Sequence, residues 1–319
     1  MSTSPRLSTE WSLAGQQAVI LENSATRVVV LPGLGGKIIS IVDKQADCEL
    51  LWRNDRVPLR PAAFGSSYDD QFLGGWDELY PNDMPEELAG EPMPDHGELW
   101  AVPWTWTAGS TPDQAWIELT VRGSITGTEV VKRLTLGNAP ELVTDYRITN
   151  TGRIDQPYLW KTHVAVVLHP DTIIDMAAGD VFLHEFGNPR ARPHSNTFTW
   201  PRLRAKGVDH DLRTMPDTTH RGISEFLLAT TLNDGLCEVR HPTAQTGLRL
   251  SWNPADLPSC WLFASYAGGW RGLNVLVLEP CTGHPLSVTE GINSGTHQVL
   301  PAGTTTTWQL TTQTGQPTT

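Results

Sequence analysis

The sequence predicts an all-β protein built from large antiparallel sheets with few short helices. Three observations carry this. Segments rich in Val, Ile, Leu and Thr are short and bounded by Gly, Asn, Asp or Pro, which is the grammar of strands and turns. No segment holds an apolar period of 3.6 residues with caps at both ends. Linker-like composition is scarce and no repeat of fixed period is present, so residues 1–319 read as one domain of two large stacked sheets.

Taken in order, strands are expected at 17–22, 26–31, 116–122, 130–136 and 141–150, the last ending at the turn-like Asn150-Thr-Gly. Later ones are expected at 226–232, 236–241, 247–252, 260–265, 273–278 and 305–311. Asn233-Asp-Gly between two of these signals a hairpin. Short helical turns fit residues 75–79 and 86–89, while Pro216 and Gly222 interrupt the most helix-like stretch, 214–228. Residues 182–217 read as an irregular loop over one end of the sandwich, and residues from about 312 to 319 as a disordered tail.

Lys and Arg total 23 against 35 Asp and Glu, a net charge of −12. Such a surface disfavours nucleic acid and anionic membranes as partners and leaves small molecules open. Cys48, Cys237, Cys260 and Cys281 are far apart and read as reduced, mostly buried thiols. The opening residues show no apolar signal-peptide core, and no run approaches the ~18 apolar residues of a membrane span. The expectation is a cytoplasmic protein, monomer or homodimer. Thirteen tryptophans offer core volume and flat faces on which sugars stack.

Three segments place acid–base groups beside turn residues or at strand ends. In Phe72-Leu-Gly-Gly-Trp-Asp-Glu-Leu-Tyr-Pro-Asn-Asp, Gly74 and Gly75 allow close backbone approach, Trp76 offers a stacking face, and Asp77 and Glu78 accept from hydroxyls. The same segment continues to Pro94-Asp-His-Gly-Glu-Leu-Trp, where Gly97 leaves the His96 imidazole accessible. An ordinary surface loop has the same composition. In Trp160-Lys-Thr-His-Val-Ala-Val-Val, Lys161 and His163 share one strand face while Trp160 and Thr162 share the other. A core histidine would fit there equally. In Leu278-Glu-Pro-Cys-Thr-Gly-His-Pro, Glu279 closes an apolar strand, where desolvation raises a carboxylate toward the range of a general base. A strand-end acid bonded to backbone would look the same.

In this order, the three segments and the opening Leu31-Pro-Gly-Leu-Gly-Gly-Lys-Ile-Ile-Ser resemble the aldose 1-epimerase family over residues 15 to 311. The resemblance implies a galactose mutarotase-like β-supersandwich and exchange of a hexose between its α and β anomers. It also implies that no metal and no other cofactor is needed. By motif, His96 is similar to the family's first histidine, which contacts the sugar near its ring oxygen. His163 is similar to the second, the general acid, and Glu279 to the general base. Trp100 stands near the place where many relatives carry an arginine, and Asp77 is the candidate for the sugar-binding aspartate. The second histidine of galactose mutarotases follows an asparagine, whereas here it stands in Lys161-Thr-His; Lys161, on the same strand face as His163, could hold an anionic substituent of the sugar, such as a phosphate or sulfonate. A solvated strand lysine is the plainer account.

Two other classes compete. A carbohydrate-binding protein on the same fold would not need an acid and a base together. A metal enzyme could use His96, His163 and Glu279 as a two-histidine, one-carboxylate set, but their spacing is wide. The remaining histidines (His169, His184, His194, His210, His220, His241, His284 and His297) read as surface or structural, with His284 expected nearest the pocket.

Overall fold

A computed structural model describes residues 4–217 and 221–316. His220 and the last part of the expected tail, 317–319, lie outside the described residues. Two large antiparallel sheets hold most of the chain. The larger has twelve strands. Its central run, in spatial order, is Lys37–Asp43, Trp76–Leu79, Lys161–Val166, Val275–Cys281, Ser259–Tyr266 and Ile223–Ala229. The second sheet has eight strands and includes Ala115–Arg122, Thr128–Leu136, Leu142–Asn150 and Thr305–Thr314.

The second sheet alternates along its strands. On Ala115–Arg122, Ile117, Leu119 and Val121 are buried, and Trp116, Glu118 and Thr120 between them are only partly covered. A half-buried strand has this period of two. The central strands of the larger sheet are different. Lys161–Val166, Ile223–Ala229 and Val275–Cys281 are buried at every position. One of their faces packs on the eight-stranded sheet, and loops cover the other. Thr162 and Val164 face the intersheet core, where Tyr146, Trp160 and Trp308 interlock with ring centroids 5.1–5.4 Å apart. Lys161, His163 and Ala165 face the loop-covered side.

Inside the intersheet core lies a charged pair. Lys132 Nζ sits 2.7 Å from Glu78 Oε1, and both side chains are 0% exposed. Tyr146 donates to the same carboxylate oxygen at 2.8 Å. Burial raises the Glu78 carboxyl and lowers the Lys132 ammonium, each opposed by its partner's charge.

Several expectations need correction. The residues read as helical turns are strands, Trp76–Leu79 and Glu86–Leu88. Asn233-Asp-Gly is no hairpin turn, because it lies within one strand, Leu232–His241. A two-residue hairpin of that composition needs positive φ at its centre, and none of these three residues has it. Gly235 serves instead to admit a neighbour, since a Cβ there would stand 2.0 Å from the Trp252 carbonyl. The segment 182–217 is partly ordered and contains the hairpin Arg202–Ala205 with Val208–Asp211. The last strand runs to Thr314, so residues 312–314 belong to it and not to the expected tail. An α-helix, Val288–Ser294, was unforeseen; Ser287 caps it by accepting from the Glu290 N–H, and Gly295 ends it in the left-handed region. The four cysteines are free thiols, three of them buried. No helix among the described residues is long and apolar enough to cross a membrane.

Candidate active site

The loop-covered face of the larger sheet carries a row of side chains that crosses four strands. Asp77 pairs directly with His163, and Glu279 with Trp261. The register that pairs Lys161 with Cys281 and Val164 with Leu278 sets His163 across from Glu279. Cross-strand neighbours on one face sit about 5 Å apart at Cβ. Two chemically active residues 116 positions apart in sequence are thereby fixed side by side by the backbone ladder.

A pocket of about 200 Å³ opens over this row. Its wall includes His96, Lys161, His163 and Glu279, together with Asp83 and Tyr68. Its other side is aromatic, with Phe72, Phe226, Phe263 and Trp270. That is room for a monosaccharide, and the mix of apolar wall and a few converging polar groups is typical of a small-molecule site.

Lys161 joins two of the acids. Its Nζ contacts Asp83 Oδ1 and lies 2.9 Å from Glu279 Oε2, and it sits 4.6 Å above the Trp261 ring. Burial would lower the ammonium, but Asp83 and Glu279 together raise it above its ordinary range. The two carboxylates diverge. Burial opposes ionisation of Asp83, yet the nearby Lys161 and His96 hold it below its usual value. Glu279 is raised by burial, with Lys161 offsetting only part of the effect. Acids whose environments push them apart in this way are suited to different tasks.

His96 is mounted on a strained turn. Its φ is 58°, its N–H donates to the Asp83 carbonyl at 2.7 Å, and its Nδ1 donates to Asp95 Oδ1 at 2.8 Å. The ring stacks on Tyr68 with centroids 4.4 Å apart. Non-glycine residues rarely adopt this backbone conformation, and it concentrates at functional sites. Gly97 makes the turn possible: its φ is 79°, and a Cβ there would stand 1.9 Å from the Tyr80 carbonyl oxygen. Gly97→Ala is therefore expected to cost about 1–3 kcal/mol and to swing His96 off Tyr68. Chemical denaturation and the His96 proton shifts measure both, and an unchanged midpoint would contradict the reading.

His163 is buried, with Nδ1 3.1 Å from the Tyr68 hydroxyl. Burial, then the charges of Lys161 and His96, hold its imidazole well below the ordinary range.

Three residues expected to touch substrate do not line the pocket. Trp76 is 0% exposed in the intersheet core. It pairs with Val164, and strand alternation that turns Asp77 toward the pocket side must turn Trp76 away. Asp77 lies behind Tyr68, bonded to Tyr68 and Lys37. Trp100 packs edge-on against Tyr68 and donates to the Asp95 carbonyl. Lys161 does line the pocket, and its charge is shared by two carboxylates, Asp83 and Glu279. His184, not His284, is the further histidine in the wall. Among the described residues, no group of three or more His, Cys, Asp or Glu side chains is arranged to hold a metal ion.

Asp83 and Tyr68 were missed. Asp83 stands at the end of the quoted Trp-Asp-Glu-Leu-Tyr-Pro-Asn-Asp segment and Tyr68 in Ser66-Ser-Tyr-Asp-Asp, and neither carries a local signal beyond its residue type.

A twelve-stranded sheet backed by an eight-stranded one, with a pocket on its loop-covered face, is the galactose mutarotase-like fold. Solved structures with this fold match nearly the whole chain. A Synechocystis sp. PCC 6803 protein aligns over 96% of this chain and 99% of its own at 17% identity, with a TM-score of 0.68. A galactose mutarotase-like protein of Clostridium acetobutylicum aligns over 98% of this chain and 99% of its own at 10% identity, with a TM-score of 0.69. A galactose mutarotase related enzyme of Lactobacillus acidophilus aligns over 95% and 98% at 13% identity, with a TM-score of 0.66. No family model matches the chain, and no curated protein matches it by sequence. At such identities the likeness establishes the fold alone.

Proposed function

We propose that the protein is an aldose 1-epimerase-type isomerase that interconverts the α and β anomers of an uncharged hexose or related sugar. The observation that carries this is the pairing of His163 and Glu279 on adjacent strands of one face, at the floor of a pocket of monosaccharide size. Ring opening must move one proton off the anomeric hydroxyl and another onto the ring oxygen. Two groups with displaced and different proton affinities, held by a rigid sheet, suit that exchange. His96, gripped by Asp95, is placed to donate or accept at a sugar oxygen. The aromatic wall suits the C–H face of a pyranose.

The test is saturation-transfer NMR over a panel of free aldoses. A substrate shows exchange between its α and β anomeric signals faster than in buffer. Binding without exchange would favour the carbohydrate-binding alternative instead. The panel also reads charge. Asp69, Asp83 and Glu279 face the pocket, and the charge of Lys161 is committed to two of them. A hexose 6-phosphate is therefore expected to show kcat/KM lower than the free hexose by on the order of tenfold to a hundredfold. A preference for the phosphate would overturn that part of the reading.

A further inference from the structure

The loop-covered face carries a second row that ring opening leaves without a task. Two residues along the strands from His163, Glu279 and Trp261 stand Ala165, Val277 and Phe263, and Phe226 pairs with Phe263 on the next strand. Rows so related are about 6.5–7 Å apart. None of these four side chains can make a hydrogen bond. Phe72, Phe186 and Trp270 from the surrounding loops line the pocket together with Val277, Phe263 and Phe226.

The rings form a cup and not a platform. Phe263 meets Trp270 at 83° and Phe226 at 77°, and Phe186 meets Trp270 at 60°. The C–H face of a sugar stacks on one flat ring, so one member of the set suffices for it. Rings tilted steeply to each other surround a small, rounded group instead.

The cup is built before any ligand arrives. Trp270 sits in a turn where Ala267 and Arg271 have φ of 47° and 51°. Arg56 donates to the carbonyls of Arg271 and Gly272 at 3.0 and 2.9 Å, and Arg271 pairs with Asp70. The Phe186 loop is fixed by Arg190, whose Nε and Nη2 donate to the two Glu225 oxygens at 2.8 and 2.9 Å. Walls set in advance lower the ordering cost of binding.

Three constraints identify what fills the cup. Anomer exchange needs a free hydroxyl at C1, so the apolar part is not an aglycone. A pocket of about 200 Å³ holds one monosaccharide and leaves no room for a long appendage. The group must also reach from the reactive row. With O5 at that row, the exocyclic carbon of a pyranose is two bonds away, and an apolar contact adds about 4 Å, which together span the gap.

We propose that the second row and its aromatic cup are a subsite for the methyl group of a 6-deoxyhexose, so that the substrate carries CH3 where an ordinary hexose carries CH2OH. The identity of the substrate rests on the anomer-exchange reading of this pocket. A hydroxyl on that carbon meets rings that offer it no partner, and its desolvation goes uncompensated. His184, with its ring 5.5 Å from that of Phe226, is the polar group at this end. Its Nδ1 accepts the Phe186 N–H at 3.1 Å, which leaves its other nitrogen for one ring hydroxyl.

Three series of sugars vary only the group at C5 through CH2OH, CH3 and H. They are D-galactose, D-fucose and L-arabinose; D-glucose, 6-deoxy-D-glucose and D-xylose; and L-mannose, L-rhamnose and L-lyxose. Titration reads Kd and anomeric NMR reads exchange. In a series that binds, the methyl sugar is expected to bind roughly 5- to 10-fold tighter than its H analogue and roughly 10- to 100-fold tighter than its CH2OH analogue. The methyl does not react, so the preference should fall on KM with kcat little changed. Phe186→Ala should bring the methyl and H sugars within about twofold, and the fold should tolerate it because Phe186 is 41% exposed. Trp270→Ala is the second variant and should act in the same direction. A CH2OH sugar that binds as well as the methyl sugar would overturn the proposal and give that end of the pocket to His184. An H analogue that binds as well would also overturn it, leaving the rings a face to stack on and nothing more. A methyl preference in Kd without catalysed exchange would uphold the subsite and overturn the isomerase reading instead. If no sugar of the three series binds, both fall.

Discussion

Glu279→Gln is expected to lower catalysed anomer exchange by roughly 10²–10⁴-fold, the usual contribution of a positioned acid–base group. Glutamine keeps the shape of the side chain and cannot move a proton. The fold should tolerate it. Lys161 retains Asp83 as its counter-ion, and the substitution removes a carboxylate that burial already disfavours. Sugar binding, followed by titration, should therefore change much less than the exchange rate, which separates a lost proton-transfer group from a damaged pocket. Exchange within about twofold of wild type would remove Glu279 from the chemistry. Because exchange is read on the anomeric signals themselves, no coupled reaction intervenes.

The largest expected effect on stability lies far from the pocket. Lys132→Met should destabilise the protein by about 3–5 kcal/mol, because it strands the Glu78 carboxylate between the two sheets. Among the described residues, Tyr146 would be left as its hydrogen-bond donor. Lys132→Met combined with Glu78→Gln should recover much of the loss, since removing both charges ends the desolvation cost of each. Denaturant midpoints of the two single variants and the double variant form the cycle. A double variant as unstable as Lys132→Met would show that packing rather than charge governs this part of the core.

In the second sheet, strands such as Ala115–Arg122 and Leu142–Asn150 were legible because their burial alternates and residue choice follows it, whereas Thr105–Ser110 and Ile173–Ala178 went unread. The pairing of Lys161 with His163 on one face followed from the same rule. Trp76 was misplaced because its segment reads as a turn, with Gly74 and Gly75 before it and Pro81 after it. Seen as a strand, that segment must send Trp76 and Asp77 to opposite faces. Asp83 and Tyr68 were illegible for another reason. Their meaning comes from partners 78 and 95 positions away, and no local pattern encodes a contact of that span. The helix Val288–Ser294 carried a readable signal, Ser287 followed three residues later by Glu290, but it is only seven residues long and its apolar period is too brief to register.

The row of Asp77, His163, Glu279 and Trp261 has a bearing on how such a protein changes over generations. Each of these positions alternates with one that belongs to the intersheet core: Glu78, Thr162, Val164, Leu278 and Leu262. Substitutions at one set redraw the chemistry on offer and leave the scaffold alone, while substitutions at the other set alter the scaffold. A single inserted residue in one of these strands trades the two sets, and in Trp76–Leu79 or Val275–Cys281 it drives the carboxylate of Asp77 or Glu279 into the interior. Substitution at the pocket therefore leaves the core in place, whereas a change in strand length reaches both at once.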